Sequence, residues 1–146
     1  MQKRKVLIVE DEEAIARMIA MNLKVAHYDT TIIQDGQEAD TALREQHDYD
    51  IAILDVMLPG MDGFSLLPVM KSYGIPVIFL TAKDDIDSKI QGLKGGAEDY
   101  IVKPFEMLEL FGRIDKVVER SKERSSIIYL LDMEVNFDEH NVRKSG

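Results

Sequence analysis

Five short runs of apolar and β-branched residues punctuate the chain, at 6–9, 30–33, 51–54, 77–80 and 100–102. The first, third and fourth are continuously apolar, the pattern a parallel strand needs when helices cover both its faces. Between the runs the spacing turns helical. Ile15, Met18, Ile19 and Leu23 recur at i, i+3, i+4 and i+8, and Ile86, Ile90 and Leu93 at i, i+4 and i+7. Leu110, Phe111, Ile114, Val117 and Val118 mark a longer helix after the fifth run, and weaker helical signals occupy 37–46 and 64–71. Pro68 falls inside the last of these and is expected to kink or shorten it, because proline lacks the backbone donor. Strand and helix alternating in this way predict an α/β, doubly wound, five-stranded parallel sheet with right-handed crossovers and helices on both faces.

The pattern changes near residue 121. Residues 121–126 are polar and unpatterned, which suits a linker, and residues 127–146 return to strand chemistry. Twenty residues cannot bury a core of their own. The expected division is therefore a complete domain over 1–120, a linker over 121–126 and the opening of something else over 127–146.

Composition narrows the function. With 18 basic and 27 acidic residues the net charge is −9, which argues against strong binding of nucleic acid or anionic membrane by this chain as it stands. The absence of cysteine removes disulfides, thiolate nucleophiles and Cys-ligated metals. His27, His47 and His140 are too far apart in sequence for a close-spaced metal motif. The longest apolar run, at 127–131, is far short of the roughly 20 residues of a membrane span. The basic N-terminus resembles the start of a signal peptide, but its apolar run stops at Glu10. A soluble, cytoplasmic protein is expected.

The informative acids stand at strand ends. Glu10-Asp11-Glu12-Glu13 follows the first run and Asp55 follows the third. Taken alone, the quartet is equally well a helix N-terminus that favours acids through its dipole. In a sheet ordered 2-1-3-4-5, however, strands one and three are neighbours at the switch point where ligands bind. Glu10, Asp11 and Asp55 would then share one crevice and repel each other unless a cation joins them. Mg²⁺, a hard ion content with oxygen ligands and water, suits such a site. Thr81 follows the fourth run and Lys103 the fifth, aimed at the same crevice. Each alone is more simply a cap or a surface lysine. Together, a free carboxylate, a metal, a hydroxyl and an ammonium make a phosphoryl-transfer site. Asp55 would be the nucleophile, while Mg²⁺, Lys103 and Thr81 would spread the charge on the phosphoryl oxygens. A flavin or nucleotide binder on the same sheet would want a small-residue phosphate loop after strand one, where this chain has four acids. A haloacid-dehalogenase-like phosphatase would need an aspartate at position 57, where Met57 stands.

The runs Leu7-Ile8-Val9-Glu10-Asp11-Glu12, Leu54-Asp55-Val56-Met57-Leu58-Pro59-Gly60-Met61-Asp62-Gly63, Leu80-Thr81-Ala82 and Gly96-Ala97-Glu98-Asp99-Tyr100-Ile101-Val102-Lys103-Pro104-Phe105 resemble a two-component response-regulator receiver domain. The resemblance covers residues 1 to about 120. It implies a flavodoxin-like sheet, phosphorylation of Asp55 by a sensor histidine kinase, and Mg²⁺ held by Asp11, Asp55 and the Met57 backbone carbonyl, with Glu10 assisting. It further implies that Thr81 and Tyr100 are a switch pair, and that the Lys103–Pro104 bond is cis. Such a protein is a signalling phospho-acceptor that assists its own phosphoryl transfer, not a metabolic enzyme.

Residues 89–99 with 109–113 are most similar to the OmpR/PhoB subfamily of DNA-binding regulators. That similarity implies a homodimer, formed on phosphorylation through the fourth helix, fifth strand and fifth helix. Lys89 would pair with Glu109, Asp99 with Arg113 and Glu98 with Arg120 across the interface, around Ile90, Leu93 and Gly112. Glu98 and Gly112 depart from the usual aspartate and alanine. Residues 129–137 and 141–146 resemble the first strands of a winged-helix DNA-binding domain, so the chain is expected to be truncated and DNA binding to reside in the missing part. A stand-alone receiver that acts by docking to another protein is the competing expectation; the polar linker and strand-rich tail count against it.

Overall fold

The computed structural model describes residues 3–82, 87, 91 and 93–121. Five strands, β1 (Lys5–Val9), β2 (Asp29–Ile33), β3 (Ile51–Asp55), β4 (Val77–Ala82) and β5 (Asp99–Lys103), form one sheet in the order β2-β1-β3-β4-β5, with every pair parallel. The helices α1 (Glu13–Val25), α2 (Gly36–Glu45) and α3 (Gly63–Ser72) cross between strands, and a further helix occupies 107–121. Residues 87, 91, 93 and 94, between β4 and β5, are also helical.

Alternate residues of each buried strand face opposite helical layers, which is why the strands read as unbroken apolar runs. Val6, Ile8, Ile51, Ile53, Ile78, Leu80 and Ile101 pack with Ala16, Ile19 and Leu23 of α1 and with Leu110, Ile114, Val117 and Val118 of the last helix. Leu7, Val9, Ala52, Leu54, Val77 and Phe79 face the other way, onto Ala39 and Leu43 of α2 and Leu66, Leu67 and Met70 of α3. Each fully buried Leu or Ile contributes about 1.5–3 kcal/mol relative to exposure. The two cores thus hold the strand ends, and the site residues on them, in fixed register.

The structure revises the helical reading in several places. On α1 the inward position next to Ile19 is Ala16, while Met18 is 39% exposed; the small side chain sits against the sheet and the long one at its rim. Pro68 does not shorten α3, which runs ten residues through it; the proline is exposed, and the donor it lacks removes a single backbone bond. The last helix continues through Ser121, so the expected linker begins inside it. The remainder of that linker, the tail at 127–146, and Ile86 and Ile90 lie outside the described residues. Among the described residues no helix is long and apolar enough to cross a membrane.

Candidate functional site

Parallel strands deliver their C-terminal ends to one edge, and β1, β3, β4 and β5 end there in chemistry. Val9 pairs with Leu54, so Glu10 and Asp55 leave adjacent strands side by side. Ala82 pairs with Lys103, which brings the lysine alongside them from the fifth strand. Glu10 is fully buried and Asp55 4% exposed, whereas Asp11 and Glu12 are exposed. Ligand oxygens of Glu10, Asp11 and Asp55 all lie within 4.8 Å of one another, a set that could hold a metal ion.

Lys103 is the cation in this cluster. Its Nζ lies 2.7 Å from Glu10 Oε1, 2.8 Å from Asp55 Oδ2 and 3.5 Å from Glu12 Oε1. The contact to Asp55 is a hydrogen bond, and that to Glu10 Oε1 is an ion pair. The other oxygens are held by backbone: Glu12 N–H donates to Glu10 Oε2 at 3.0 Å and Met57 N–H to Asp55 Oδ1 at 2.9 Å. Burial, followed by the neighbouring Asp55 carboxyl, pushes Glu10 up from 4.5 to about 7. For Lys103 burial favours the neutral amine, but the Asp55 and Glu10 carboxylates outweigh it and raise its pKa. Thr81 is 2% exposed and its hydroxyl has no hydrogen-bond partner. Tyr100 is half-buried against the α2–α3 core.

The expected site residues Glu10, Asp11, Asp55, Thr81 and Lys103 therefore all stand at this one edge of the sheet. Met57, two residues after Asp55, is 72% exposed. The Lys103–Pro104 bond is cis, as anticipated.

The residues expected at a dimer face divide differently. Lys89 and Ile90 lie outside the described residues. Leu93 is 48% exposed, and Glu109 and Gly112 are also exposed. Glu98, Asp99 and Arg120 line one surface hollow. Arg113 Nη1 donates to both oxygens of Asp99 at 2.8 Å within the same chain, and this bonding raises the pKa of the guanidinium. The Asp99–Arg113 pair, expected between two copies, forms here inside one, because β5 and the helix that follows it lie side by side.

Two residues that touch the loop after Asp55 carry no signal in the hydrophobic pattern. Asp35 and Gly36 open α2, and Gly36 N–H donates to the Pro59 carbonyl at 3.0 Å, in the loop just after Asp55. Only an Asp-Gly pair ahead of a weak helical run marks them in the sequence.

Comparison with known proteins gives concordant matches. The family model for the response regulator receiver domain matches residues 6–115. The chain is similar to the DNA-binding response regulator MtrA of Mycobacterium tuberculosis, 36% identical over 146 residues that cover 99% of this chain and 64% of MtrA. It is likewise 36% identical to the transcriptional activator protein IrlR of Burkholderia pseudomallei, over 97% of this chain and 62% of that protein. The chain thus spans less than two thirds of the length of these curated relatives. Among solved structures, the receiver domain of the Francisella response regulator 1452 superposes with a TM-score of 0.73 at 39% identity, covering 82% of this chain and 99% of that one.

Proposed function

The chain belongs to the response regulator receiver domain family, and from that premise we propose that it is the phosphoryl-accepting switch of a two-component system, with Asp55 taking the phosphoryl group from a phosphohistidine of a sensor histidine kinase. The observation that carries the reading is the Lys103 ammonium, held 2.7 and 2.8 Å from the buried carboxylates of Glu10 and Asp55 with Asp11 beside them.

Mg²⁺ fits this donor set. Three hard carboxylates converge, two of them almost fully buried. Asp11, Asp55 and the Met57 carbonyl would hold the ion, with Glu10 assisting directly or through water. When bound, Mg²⁺ offsets carboxylate repulsion and part of the charge on the transferring oxygens.

The remaining work falls to this chain's own groups. A carboxylate oxygen of Asp55 attacks phosphorus; the new O–P bond forms as the P–N bond to the donor imidazole breaks, and the imidazole nitrogen leaves with the bonding pair and takes a proton. Met57 N–H holds Asp55 Oδ1 and so orients the nucleophile. Lys103, already paired with Asp55, keeps its positive charge beside the phosphoryl oxygens. The Thr81 hydroxyl, buried and unpartnered, is a donor awaiting an acceptor, and the new phosphoryl group adds a charge of about −1.5 to −2 with three acceptor oxygens. Thr81 moving toward that group would leave space behind it for Tyr100 to turn inward. The face carrying Leu93, Glu98, Asp99, Glu109, Gly112, Arg113 and Arg120, with Lys89 and Ile90, would then dimerise, and the Asp99–Arg113 pair would exchange between copies. Two relatives that extend beyond this chain are named as a DNA-binding regulator and a transcriptional activator. That supports transcriptional control as the output of the whole protein.

The P–N donor phosphoramidate tests the chemistry. With Mg²⁺ it should deposit one hydroxylamine-sensitive phosphoryl group per chain, and the Asp55→Asn variant should remain unlabelled. Equal labelling of that variant would refute the assignment.

A further inference from the structure

Residues 56–63 cross from the end of β3 to the start of α3 and carry Met57, whose carbonyl is the backbone ligand in the reading above. The crossing is tied at both ends. Met57 N–H donates to Asp55 Oδ1 at 2.9 Å, and Gly63 N–H donates to the Val56 carbonyl at 2.9 Å. A Cβ on Gly63 would lie 2.5 Å from the Asp55 carbonyl oxygen, so that turn has no slack.

The middle of the crossing is held from outside, by the first turn of α2. The Gly36 N–H reaches the Pro59 carbonyl at 3.0 Å. Gly36 is buried, and a Cβ built on it would fall inside the Met61 carbonyl oxygen and 2.6 Å from the Met61 carbonyl carbon. Gly60 has φ +79°, and a Cβ there would stand 2.7 Å from Asp35 Oδ1. That same oxygen caps α2 by accepting the Glu38 N–H at 3.0 Å. Neither Asp35 nor Gly36 belongs to the acid cluster, yet one hydrogen bond, one close approach of two backbones and one of the Gly60 backbone to the Asp35 carboxylate seat the loop on them.

We propose that the Asp35–Gly36 turn is a positioning element for the acceptor site: it sets where residues 57–62, and with them the Met57 carbonyl, stand relative to Glu10, Asp11 and Asp55. The proposal rests on the Mg²⁺ reading above. Mg²⁺ demands near-octahedral oxygens at about 2.0–2.1 Å, whereas Ca²⁺ accepts irregular shells at about 2.3–2.6 Å. Displacing one backbone ligand therefore weakens Mg²⁺ more than Ca²⁺. A turn that merely supported the fold would leave that preference unchanged.

Calorimetric titration of Mg²⁺ and of Ca²⁺ into wild type, Gly36→Ala and Gly74→Ala separates the two roles. Gly74 has φ +72° with open space around it, in the turn leading into β4 at the opposite end of the sheet, so its alanine variant strains the backbone away from the site. Gly36→Ala should lose about tenfold or more in Mg²⁺ affinity, the usual scale for residues that support metal ligands. Its Ca²⁺ affinity should fall much less, and Gly74→Ala should keep both affinities. Unchanged Mg²⁺ binding by Gly36→Ala, or equal losses for the two ions, would overturn the proposal. Should Gly36→Ala fail to fold, Asp35→Ala replaces it: losing the carboxylate that caps α2 and stands against Gly60 should lower Mg²⁺ affinity more than Ca²⁺ affinity, and unchanged Mg²⁺ binding or equal losses for the two ions would sink the idea. Wild type that binds no Mg²⁺ would refute the underlying reading, and this one with it, whereas failure in the variants alone refutes only the role of the turn.

Discussion

At Lys103 burial favours a neutral amine, yet two carboxylates within 2.8 Å keep it charged, and the same contacts compensate two acids that are themselves almost fully buried. Removing the lysine would leave those acids facing each other without a cation. A second ionisable contact lies away from the site. Tyr28, between α1 and β2, donates its hydroxyl to Asp115 Oδ1 of the last helix at 3.0 Å. Burial, then this acid, pushes Tyr28 up from 10.0 to about 12. Because the folded value exceeds the unfolded one, the stabilisation is complete below about pH 10 and is lost as the pH climbs toward the folded value. In ultraviolet titrations of the folded protein, the absorbance step lost on Tyr28→Phe should therefore fall near pH 12. A lost step centred near pH 10, the value of a free tyrosine, would show that the Tyr28–Asp115 contact does not form in solution.

Among the elements, the strands were the most legible. A parallel strand covered on both faces must be apolar throughout, and 6–9, 51–54 and 77–80 each show that pattern without a break. The acids that break the runs were legible for the same reason, since a carboxylate at the end of a buried strand has to be exposed or paired. The helices were less so, because periodicity gives a face but not the depth of each residue on it; hence Met18 at the rim and Ala16 beneath. Whether Asp99 meets Arg113 of its own chain or of another copy cannot be read from spacing, and neither can the seat of Gly36 under Met61, which is a through-space approach of two backbones. The last helix offers a check of its own. Gly112 is exposed, and a Cβ there would touch nothing within 4 Å. Gly112→Ala should accordingly stabilise the protein toward urea by about 1 kcal/mol, the ordinary difference in helix propensity. A loss of stability would mean that the glycine is required by its surroundings.

On the scale of the whole molecule, two apolar layers fix the strands and the strands deliver Glu10, Asp55, Thr81 and Lys103 to one edge. Part of the −9 charge is concentrated there, and Mg²⁺ is the proposed counterweight. The acidity that argued against nucleic-acid binding is a property of these residues. It carries no information about the part of the curated relatives that this chain does not span. The proposed switch requires above all that Asp55 be the acceptor. Peptide mapping by mass spectrometry after treatment with acetyl phosphate and Mg²⁺ addresses it directly. A single phosphoryl group on the peptide containing Asp55, absent when the metal is chelated, is the result predicted. Phosphorylation at any other residue, or at Asp55 to the same extent without divalent metal, would contradict it.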